Sequence, residues 1–579
     1  MKKEEGAISG IDDKDFISTE PTPYAPDEES NLKWYMRNLC TRQGWIGEYD
    51  FSFLCLPNLP GLAKQPPAKF IGLKDRLPLA VAIIMGFQHC LAMLAGVVTP
   101  PLILSGPGPQ HMNLNTEYRS YLISASLITC GLLSFIQMTR WRIPGTRYYM
   151  GTGLITVVGT SFTIMPVAES SFAYMYESGF CPTVKNDLGV ITQYLPCPEA
   201  YGALLGTTMM CSVLMILISF VPAKVLHKLF PPLVTGITVT LIGAHLVGSG
   251  LKNWGGGSGP CISHPKEGNF VLCPNINSPN ALPWGHIKYM GLGFLVFISI
   301  ILFDIFGSHF MRSAEVVLGL IVGLIVSWST GYVNTQVINE APVVTFVWVK
   351  TFPLGIYTPA IIPMLVIYML IAVESIGTIT ACCDVSGVEV SGPVFETRIQ
   401  GGVLADGLNS LFAGLLTNPP MSTFAQNNGI VALTRCANLT TGYACCFFLI
   451  IMGVFSKLAS VFLAIPESVL GGMTTFLFAN VLVSGIRILS YLKWTRRDRF
   501  IAAAAMTLGM GTTIKDDWFS YALSSYKGSN TTVNGLIISA EMIVNSGFTI
   551  ASIIAIILNL VMPKEAEDLE EEENNGHPV

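Results

Sequence analysis

The segment STFAQNNGIVALTR, residues 422–435, places three side-chain amides and a glycine between two long apolar runs. Gln426, Asn427 and Asn428 each offer both hydrogen-bond donors and acceptors, and Gly429 weakens a helix. A half-helix that begins near Gln426 points its positive N-terminal end into the break that precedes it. The segment therefore predicts a binding site for an acceptor-rich or partly anionic ligand.

The composition is that of a membrane protein. Of the 579 residues, 51% are hydrophobic and only 12% are charged, whereas a soluble domain carries about 25% charge. Apolar runs recur from Leu77 to Met562 with short gaps, and each is about 20 residues long, which is enough to cross a bilayer core. We predict an all-α, polytopic membrane protein that contacts membrane lipids.

About fourteen membrane elements are predicted, and two of them are unusual. The third, 148–168, is crowded with Gly, Thr and Ser, and the tenth, 423–434, is short and carries the amide segment. Each is the third of a set of seven, and broken segments at matching positions of two halves indicate a transporter's binding site. Because seven is odd, the two repeats must be inverted. The other predicted spans are 77–98, 118–139, 200–222, 230–250, 287–307, 313–333, 361–383, 398–417, 440–463, 467–490, 498–514 and 534–561.

The charge of the segments between the predicted spans indicates how the protein is oriented in the membrane. Lys and Arg prefer the cytoplasmic side, and the gaps 139–147, 223–228 and 493–499 are basic. With a cytoplasmic N-terminus, the cysteine pairs and the glycosylation sequon fall on the opposite face, where local disulfides form. Those residues are Cys181 with Cys197, Cys261 with Cys273, and Asn530. The predicted regions are a cytoplasmic N-terminal region at 1–70, repeats at 71–340 and 341–562, and an acidic cytoplasmic tail at 563–579.

Four acidic residues interrupt the apolar runs, where a carboxyl group costs at least about 2.5–3.5 kcal/mol. Glu374 and Asp406 adjoin the tenth element in sequence and are predicted to be functional, although Asp406 has the alternative role of tying broken backbone to a neighbouring helix. Asp304 and Glu541 lie near span edges or away from the broken region, and we interpret them as structural.

His89 lies in the first span beside Gln88. A single His in a span is more often a hydrogen-bonded structural residue than a proton relay, and both readings stay open. The sequence contains no P-loop and no HExxH or GxSxG motif, which disfavours an ATP-driven pump and an enzyme. We expect no metal site, no cofactor and no nucleic-acid partner.

The segment 424–435 resembles the signature of the nucleobase–ascorbate transporter family: a variable residue, Asn-x-Gly, four more residues, Thr and a basic residue. Here these positions hold Gln426, Asn427, Gly429, Thr434 and Arg435. The resemblance covers about residues 40–562 and is closest to fungal uric acid–xanthine permeases. Other similar stretches are GFQHCLAMLAGVVTPPLIL (86–104), GTGLITVVGTSF (151–162), ESIG (374–377), TRIQGGVLADGLNS (397–410) and IPESVLGGM (465–473).

This resemblance implies a fold and a mechanism. Elements 1–4 and 8–11 would form a core domain, and elements 5–7 and 12–14 a gate domain that makes a homodimer. The core would move against the gate like an elevator, and transport would be proton symport across the plasma membrane with both termini in the cytoplasm. The proton gradient would replace any cofactor as the driving force.

The resemblance also implies ligand contacts. The first motif position tracks substrate class, and Gln426 there implies oxidised purines such as xanthine and uric acid. Gln426 and Glu374 would bind opposite edges of the purine, and Phe162 would stack on its face. The backbone N–H groups of Phe162 and Ala425 would bind ring oxygens, while Asn427 would brace the site.

Three further residues gain expected roles from the resemblance. Phe548 would filter substrates from the gate side, and Arg487 would lie at the dimer interface. Thr378 stands where most members carry an ionisable residue, so proton coupling would rest on Glu374 and Asp406. The alternatives are a broader purine or ascorbate carrier, with Gln426 arguing against ascorbate, and a purine sensor that does not transport.

Overall fold

The computed structural model describes residues 41–47, 49, 51–57, 69–185, 191–221, 231–257, 259–264, 266–268, 270–515, 518–519, 522–523, 526 and 531–563. Most of the predicted N-terminal region, the basic gap 223–228, the sequon residue Asn530 and the acidic tail from 564 onward lie outside these residues.

The described chain is mostly helical. The helices are, in chain order, α1 (Arg42–Trp45), α2 (Phe51–Cys55), α3 (Leu79–Leu104), α4 (Thr116–Met138), α5 (Met165–Glu177), α6 (Pro198–Ile218), α7 (Pro232–Trp254), α8 (Ile287–Phe306), α9 (His309–Ser313), α10 (Glu315–Ser329), α11 (Thr335–Glu340), α12 (Ile361–Val385), α13 (Pro393–Leu415), α14 (Gln426–Thr434), α15 (Leu439–Val454), α16 (Ser456–Ala464), α17 (Glu467–Ser490), α18 (Arg496–Ile514), α19 (Thr531–Asn545) and α20 (Gly547–Val561).

Short strands correct the all-α prediction. They form three two-stranded antiparallel sheets, β1 with β2, β3 with β6 and β4 with β5. In a bilayer, extended backbone has no water to bond to, so its N–H and C=O groups must pair within the protein. The strands are β1 (Trp141–Arg142), β2 (Tyr149–Met150), β3 (Val158–Thr160), β4 (Thr183–Lys185), β5 (Ile191–Tyr194) and β6 (Met421–Thr423).

Seven helices in the described ranges are long and apolar enough to cross a membrane, and the count rises to nine if each bent helix pair is one span. The bent pairs correct two predicted spans. Predicted span 440–463 consists of α15 and α16, which meet at 76°, and span 534–561 consists of α19 and α20, which meet at 86°. The fourteen-segment arrangement in two inverted repeats stays a prediction.

The helices pack in two groups that meet along α12, α3 and α5. On the other side of this boundary, α7, α10, α19 and α20 contact these three helices. The first helix group surrounds β3 and β6 and consists of α3, α4, α5, α6, α12, α13, α14 and α15. The second helix group consists of α7, α8, α10, α17, α18 and α20.

Glycines let α7 and α17 approach each other closely within the second helix group. A Cβ atom on Gly243 would meet the backbone of Leu482, and one on Gly485 would meet the backbone of Thr240. Small residues are what allow helix backbones to approach in a membrane, where the hydrophobic effect does not drive helices together. The α7–α17 contact is therefore set by backbone packing.

Both predicted local disulfides are present. Cys181 is bonded to Cys197 across a Cα–Cα distance of 5.5 Å, and this bond closes the β4–β5 hairpin. Cys261 is bonded to Cys273 across 5.4 Å. The predicted pairing of neighbours in the chain is confirmed.

We expect Gly243→Leu to destabilise the fold, because the added side chain would meet backbone that has no freedom to move aside. Overpacking of this kind costs roughly 1–3 kcal/mol. The thermal unfolding midpoint of the detergent-solubilised protein should fall clearly. Gly248→Leu is the matched control. Gly248 lies on the same helix, and a Cβ atom added there would have no neighbouring atom within 4 Å. Equal midpoints for the two variants would contradict the packing argument.

Candidate ligand-binding site

The two predicted broken elements meet at β3 and β6. Val158 pairs with Thr423, Gly159 with Ser422 and Thr160 with Met421. All residues of the two strands are buried. Each strand leads into a short helical segment: a 3₁₀ turn at Phe162–Ile164 and α5 after β3, and α14 after β6. The sheet therefore holds two helix beginnings near the middle of the first helix group.

Helix α14 begins at Gln426, as the sequence predicts. Its N-cap residue is Ala425, and no side chain caps the first turn, so the first N–H groups of the helix are available to a ligand. Ala425 is exposed and Gln426 is partly exposed. In the described part of the chain, no hydrogen bond is made to the Gln426 amide, which leaves its donor and acceptor free to bind.

Glu374 lies on α12 and faces the turn that follows β3. Its carboxylate accepts a hydrogen bond from the Thr163 hydroxyl at 3.2 Å. Both residues line a small cavity between α12 and α7. Because Thr163 follows Phe162, this bond fixes the turn that the sequence associates with a ligand.

Asp406 is fully buried on α13 and joins three elements. Its carboxylate accepts hydrogen bonds from the Ser375 hydroxyl on α12 and from the Thr423 hydroxyl on β6, the latter at 3.0 and 3.1 Å. The Gln137 amide also donates to the Thr423 hydroxyl at 3.1 Å and receives a bond from Asn409 at 3.2 Å. These hydrogen bonds tie β6 to α12 and α13, and whether Asp406 also takes part in transport stays a prediction.

His89 and Asn427 brace α14 against α3. The His89 Nδ1 atom lies 2.8 Å from the Asn427 Oδ1 atom, and the Asn427 amide nitrogen donates to the Met93 sulfur at 2.9 Å. An amide oxygen only accepts, so Nδ1 of His89 carries the proton in this contact. Gln88, beside His89, donates instead to the Ser313 hydroxyl of α9 at 3.4 Å. His89 and Gln88 are therefore adjacent in sequence but contact different helices, α14 and α9.

Phe162 belongs to an aromatic group next to the half-helices. Its ring stacks on Phe424 at 5.8 Å between centroids and makes a T-shaped contact with Phe478 on α17 at 5.5 Å. Phe424 fits here because Gly96 and Gly159 leave a slot, and a Cβ atom on either glycine would lie under 3 Å from the ring. The Phe162 face that is predicted to meet a purine is thus held between the two helix groups.

The remaining predicted residues are Thr378, Phe548 and Arg487. Thr378 is buried, and its carbonyl oxygen accepts a bond from Asn428 at 3.0 Å. Phe548 is 2% exposed in the first turn of α20. Arg487 is exposed on α17 and donates to the Tyr491 hydroxyl at 3.1 Å. The structure does not bring Phe548 or Arg487 into the cavity beside Glu374.

Several residues of this region were not predicted from the sequence. Gln137 and Asn409 are polar residues within apolar runs, a pattern that could have indicated them. Glu169 is a further buried acid, on α5. Thr163, Ser375 and Thr423 carry no pattern that separates them from other hydroxyl residues of the spans.

Comparison with known proteins defines the class. A family model described as "Permease family" matches residues 80–517. The chain is 51% identical to a "Purine permease" of Emericella nidulans, over 92% of this chain and 90% of that protein. It is 47% identical to the "Uric acid-xanthine permease" of the same organism, over 98% and 96%, and 30% identical to "Xanthine permease XanP" of Escherichia coli, over 86% and 95%.

One solved structure shares the fold. The transmembrane domain of the cyanobacterial bicarbonate transporter BicA aligns with a TM-score of 0.50 at 15% identity, over 73% of this chain and 93% of that domain. This likeness shows a shared fold. The chain belongs to the nucleobase–ascorbate transporter family of permeases and is not an enzyme.

We expect Thr423→Val to destabilise the centre of the fold, because the buried Asp406 carboxylate and the Gln137 amide both lose a partner. Leaving a buried polar group unsatisfied costs about 1–3 kcal/mol. The thermal unfolding midpoint should drop for Thr423→Val and stay near the wild-type value for Thr423→Ser, which keeps the hydroxyl group. A Ser variant as unstable as the Val variant would show that shape, and not the hydrogen bonds, matters here.

Proposed function

We propose that this permease takes up oxidised purines, xanthine and uric acid, by proton symport. The observation that carries the proposal is the uncommitted Gln426 amide at the N-terminus of α14, with Glu374 on the neighbouring helix α12. The names of the fungal and bacterial relatives support purines as the substrate class.

The hydrogen-bonding groups of the proposed site indicate how a purine would be recognised. Xanthine and uric acid present adjacent ring N–H and C=O groups, and one Gln side chain can donate to the C=O while accepting from the N–H. Glu374 accepts from N–H groups on the opposite edge in charge-assisted hydrogen bonds. The free N–H groups at the start of α14 and of the turn at Phe162 bind ring oxygens, and the Phe162 ring covers the purine face.

Glu374 is the better proton carrier of the two central carboxyl groups. Asp406 is enclosed and already accepts bonds from Ser375 and Thr423, so it acts as a brace. Glu374 is partly buried, has one hydroxyl partner and lines a small cavity, so it keeps hydrogen-bonding capacity for a proton or a ligand N–H group. Symport then needs no ionisable residue at Thr378.

An elevator movement is the mechanism that we propose. The first helix group would act as the core and the second as the gate. Among the described residues, few polar contacts join the first helix group to α9 and α19, which pack against the second helix group. They include Gln88 with Ser313 of α9 and the Tyr174 hydroxyl with Glu541 of α19 at 3.3 Å. A sparse polar interface suits sliding, because few hydrogen bonds break in each cycle. We further propose a plasma-membrane homodimer, with Arg487 at its interface and both termini cytoplasmic.

The proposal predicts saturable uptake of radiolabelled xanthine in cells that lack their own purine carriers. Uptake should be faster at pH 5.5 than at pH 7.5 and should collapse when a protonophore removes the gradient. Uric acid should compete, and uracil and ascorbate should not.

Each alternative result has a distinct meaning. Xanthine uptake that ignores both pH and the protonophore would make the protein a uniporter. Xanthine binding to purified protein without any uptake would make it a sensor. Competition by ascorbate would place it among broader carriers.

Gln426→Met tests the proposed contact, since Met has a similar shape and no amide. Sites that hydrogen-bond a ligand reject partners that lack the matching group, and we expect xanthine uptake per surface molecule to fall more than tenfold. Gln193→Met in the exposed hairpin strand β5 is the matched control and should transport normally. Normal uptake by the Gln426→Met variant would remove the residue from the site.

A further inference from the structure

The cavity beside Glu374 is closed on its far side by one helix. The first helix group supplies one wall, with Glu374 and Thr163 as its polar residues. The other wall is α7 of the second helix group, which supplies a mostly apolar surface. The lining residues of α7 are Val234, Thr235, Thr238, Val239 and Ile242.

Thr238 already has partners for its hydroxyl group. Its Oγ1 atom donates to the Val234 carbonyl at 2.9 Å or shares a proton with the Ser552 hydroxyl at 2.6 Å. Ser552 in turn donates to the Phe548 carbonyl at 2.6 Å, so Ser552 supplies no proton to Thr238 while that bond is made. Thr238 therefore joins α7 to α20 and is structural.

Thr235 is different. Its hydroxyl donates one long hydrogen bond, 3.4 Å to the Pro231 carbonyl one turn back, which is weaker than the bonds that Thr238 makes. The residue is only partly buried and opens into the same cavity as Glu374. Of the α7 side chains that line this cavity, Thr235 thus offers the hydroxyl group that is more easily released to bind a ligand.

We propose that Thr235 is a specificity-determining residue that binds the purine edge held by Glu374. This inference rests on the proposed purine transport. Gln426 pairs with adjacent N–H and C=O groups of the six-membered ring, so the opposite edge is that of the five-membered ring. That edge carries the C8 oxygen in uric acid and a C–H in xanthine. A hydroxyl group there distinguishes the two substrates, because it can donate to the oxygen.

The position of Thr235 on the second helix group adds a second consequence. In an elevator mechanism, the second helix group does not move with the ligand. The hydrogen bond from Thr235 to the ligand therefore exists only while Glu374 faces α7. Thr235 therefore contributes to selection in that state and not to the bracing of the site.

The test measures uptake of xanthine and inhibition by uric acid and hypoxanthine for wild type, Thr235→Val, Thr235→Ser and the matched control Thr238→Val, each corrected for surface amount. A neutral hydrogen bond changes affinity roughly three- to tenfold. We expect Thr235→Val to weaken uric acid relative to xanthine by that factor, while the hypoxanthine-to-xanthine ratio stays unchanged. Thr235→Ser should behave as wild type. Thr238→Val should lower the surface amount or thermal stability without changing either ratio.

The outcomes separate this inference from its premise. If the wild type takes up no xanthine, the proposed function fails, and this inference fails with it. If the wild type transports and Thr235→Val keeps the wild-type ratios, only the role of Thr235 is overturned. A change of both ratios, or the same change in Thr238→Val, would also overturn it. If Thr235→Val does not reach the surface, Thr235→Ala is measured in the same assay with the same criteria.

Discussion

The pairing of β3 with β6 is the constraint on which the rest of the structure depends. A transporter that uses free helix N-termini must interrupt helices inside the membrane, and each interruption exposes backbone groups that lipid cannot satisfy. Pairing Val158 with Thr423 and Thr160 with Met421 resolves both interruptions at once. The two helix beginnings then lie together, and the sheet brings their first N–H groups to the same region of the protein.

The neighbouring polar residues divide into those that hold this sheet and those that remain open. Asp406 fixes β6 to α12 and α13 through hydroxyl groups, and Asn427 with His89 fixes α14 to α3. Gln426 and Glu374 keep free hydrogen-bonding capacity because other residues carry the bracing. Two carboxyl groups of similar sequence context thus acquire different roles from their packing alone.

The broken elements, the start of α14 and both disulfides could be predicted from the sequence, because local residue patterns determine them. The partner of each strand could not, since β3 and β6 lie far apart in the chain and either could have paired elsewhere. The bend between α19 and α20 falls at the triplet Asn545-Ser546-Gly547, whereas the apolar run 534–561 predicted a single span. Thr235 matters because it shares a cavity with Glu374, and Phe424 because it stacks on Phe162. These contacts join distant parts of the chain, so no local sequence pattern predicts them.

The absence of an ionisable residue at Thr378 acquires a physical interpretation from this arrangement. Position 378 contributes its backbone carbonyl to Asn428, two residues after Gln426, and its side chain is buried. A residue that holds α14 through its backbone carbonyl keeps that contact whichever side chain it carries, so the contact needs no acidic side chain at position 378. Proton exchange needs a carboxyl group with access to a cavity, and Glu374 has that access. Under the proposed symport, substrate recognition and proton binding would fall on the same side chain: the proton would neutralise the carboxylate, and the oxygen that carries no proton would still accept a hydrogen bond from a ligand N–H group.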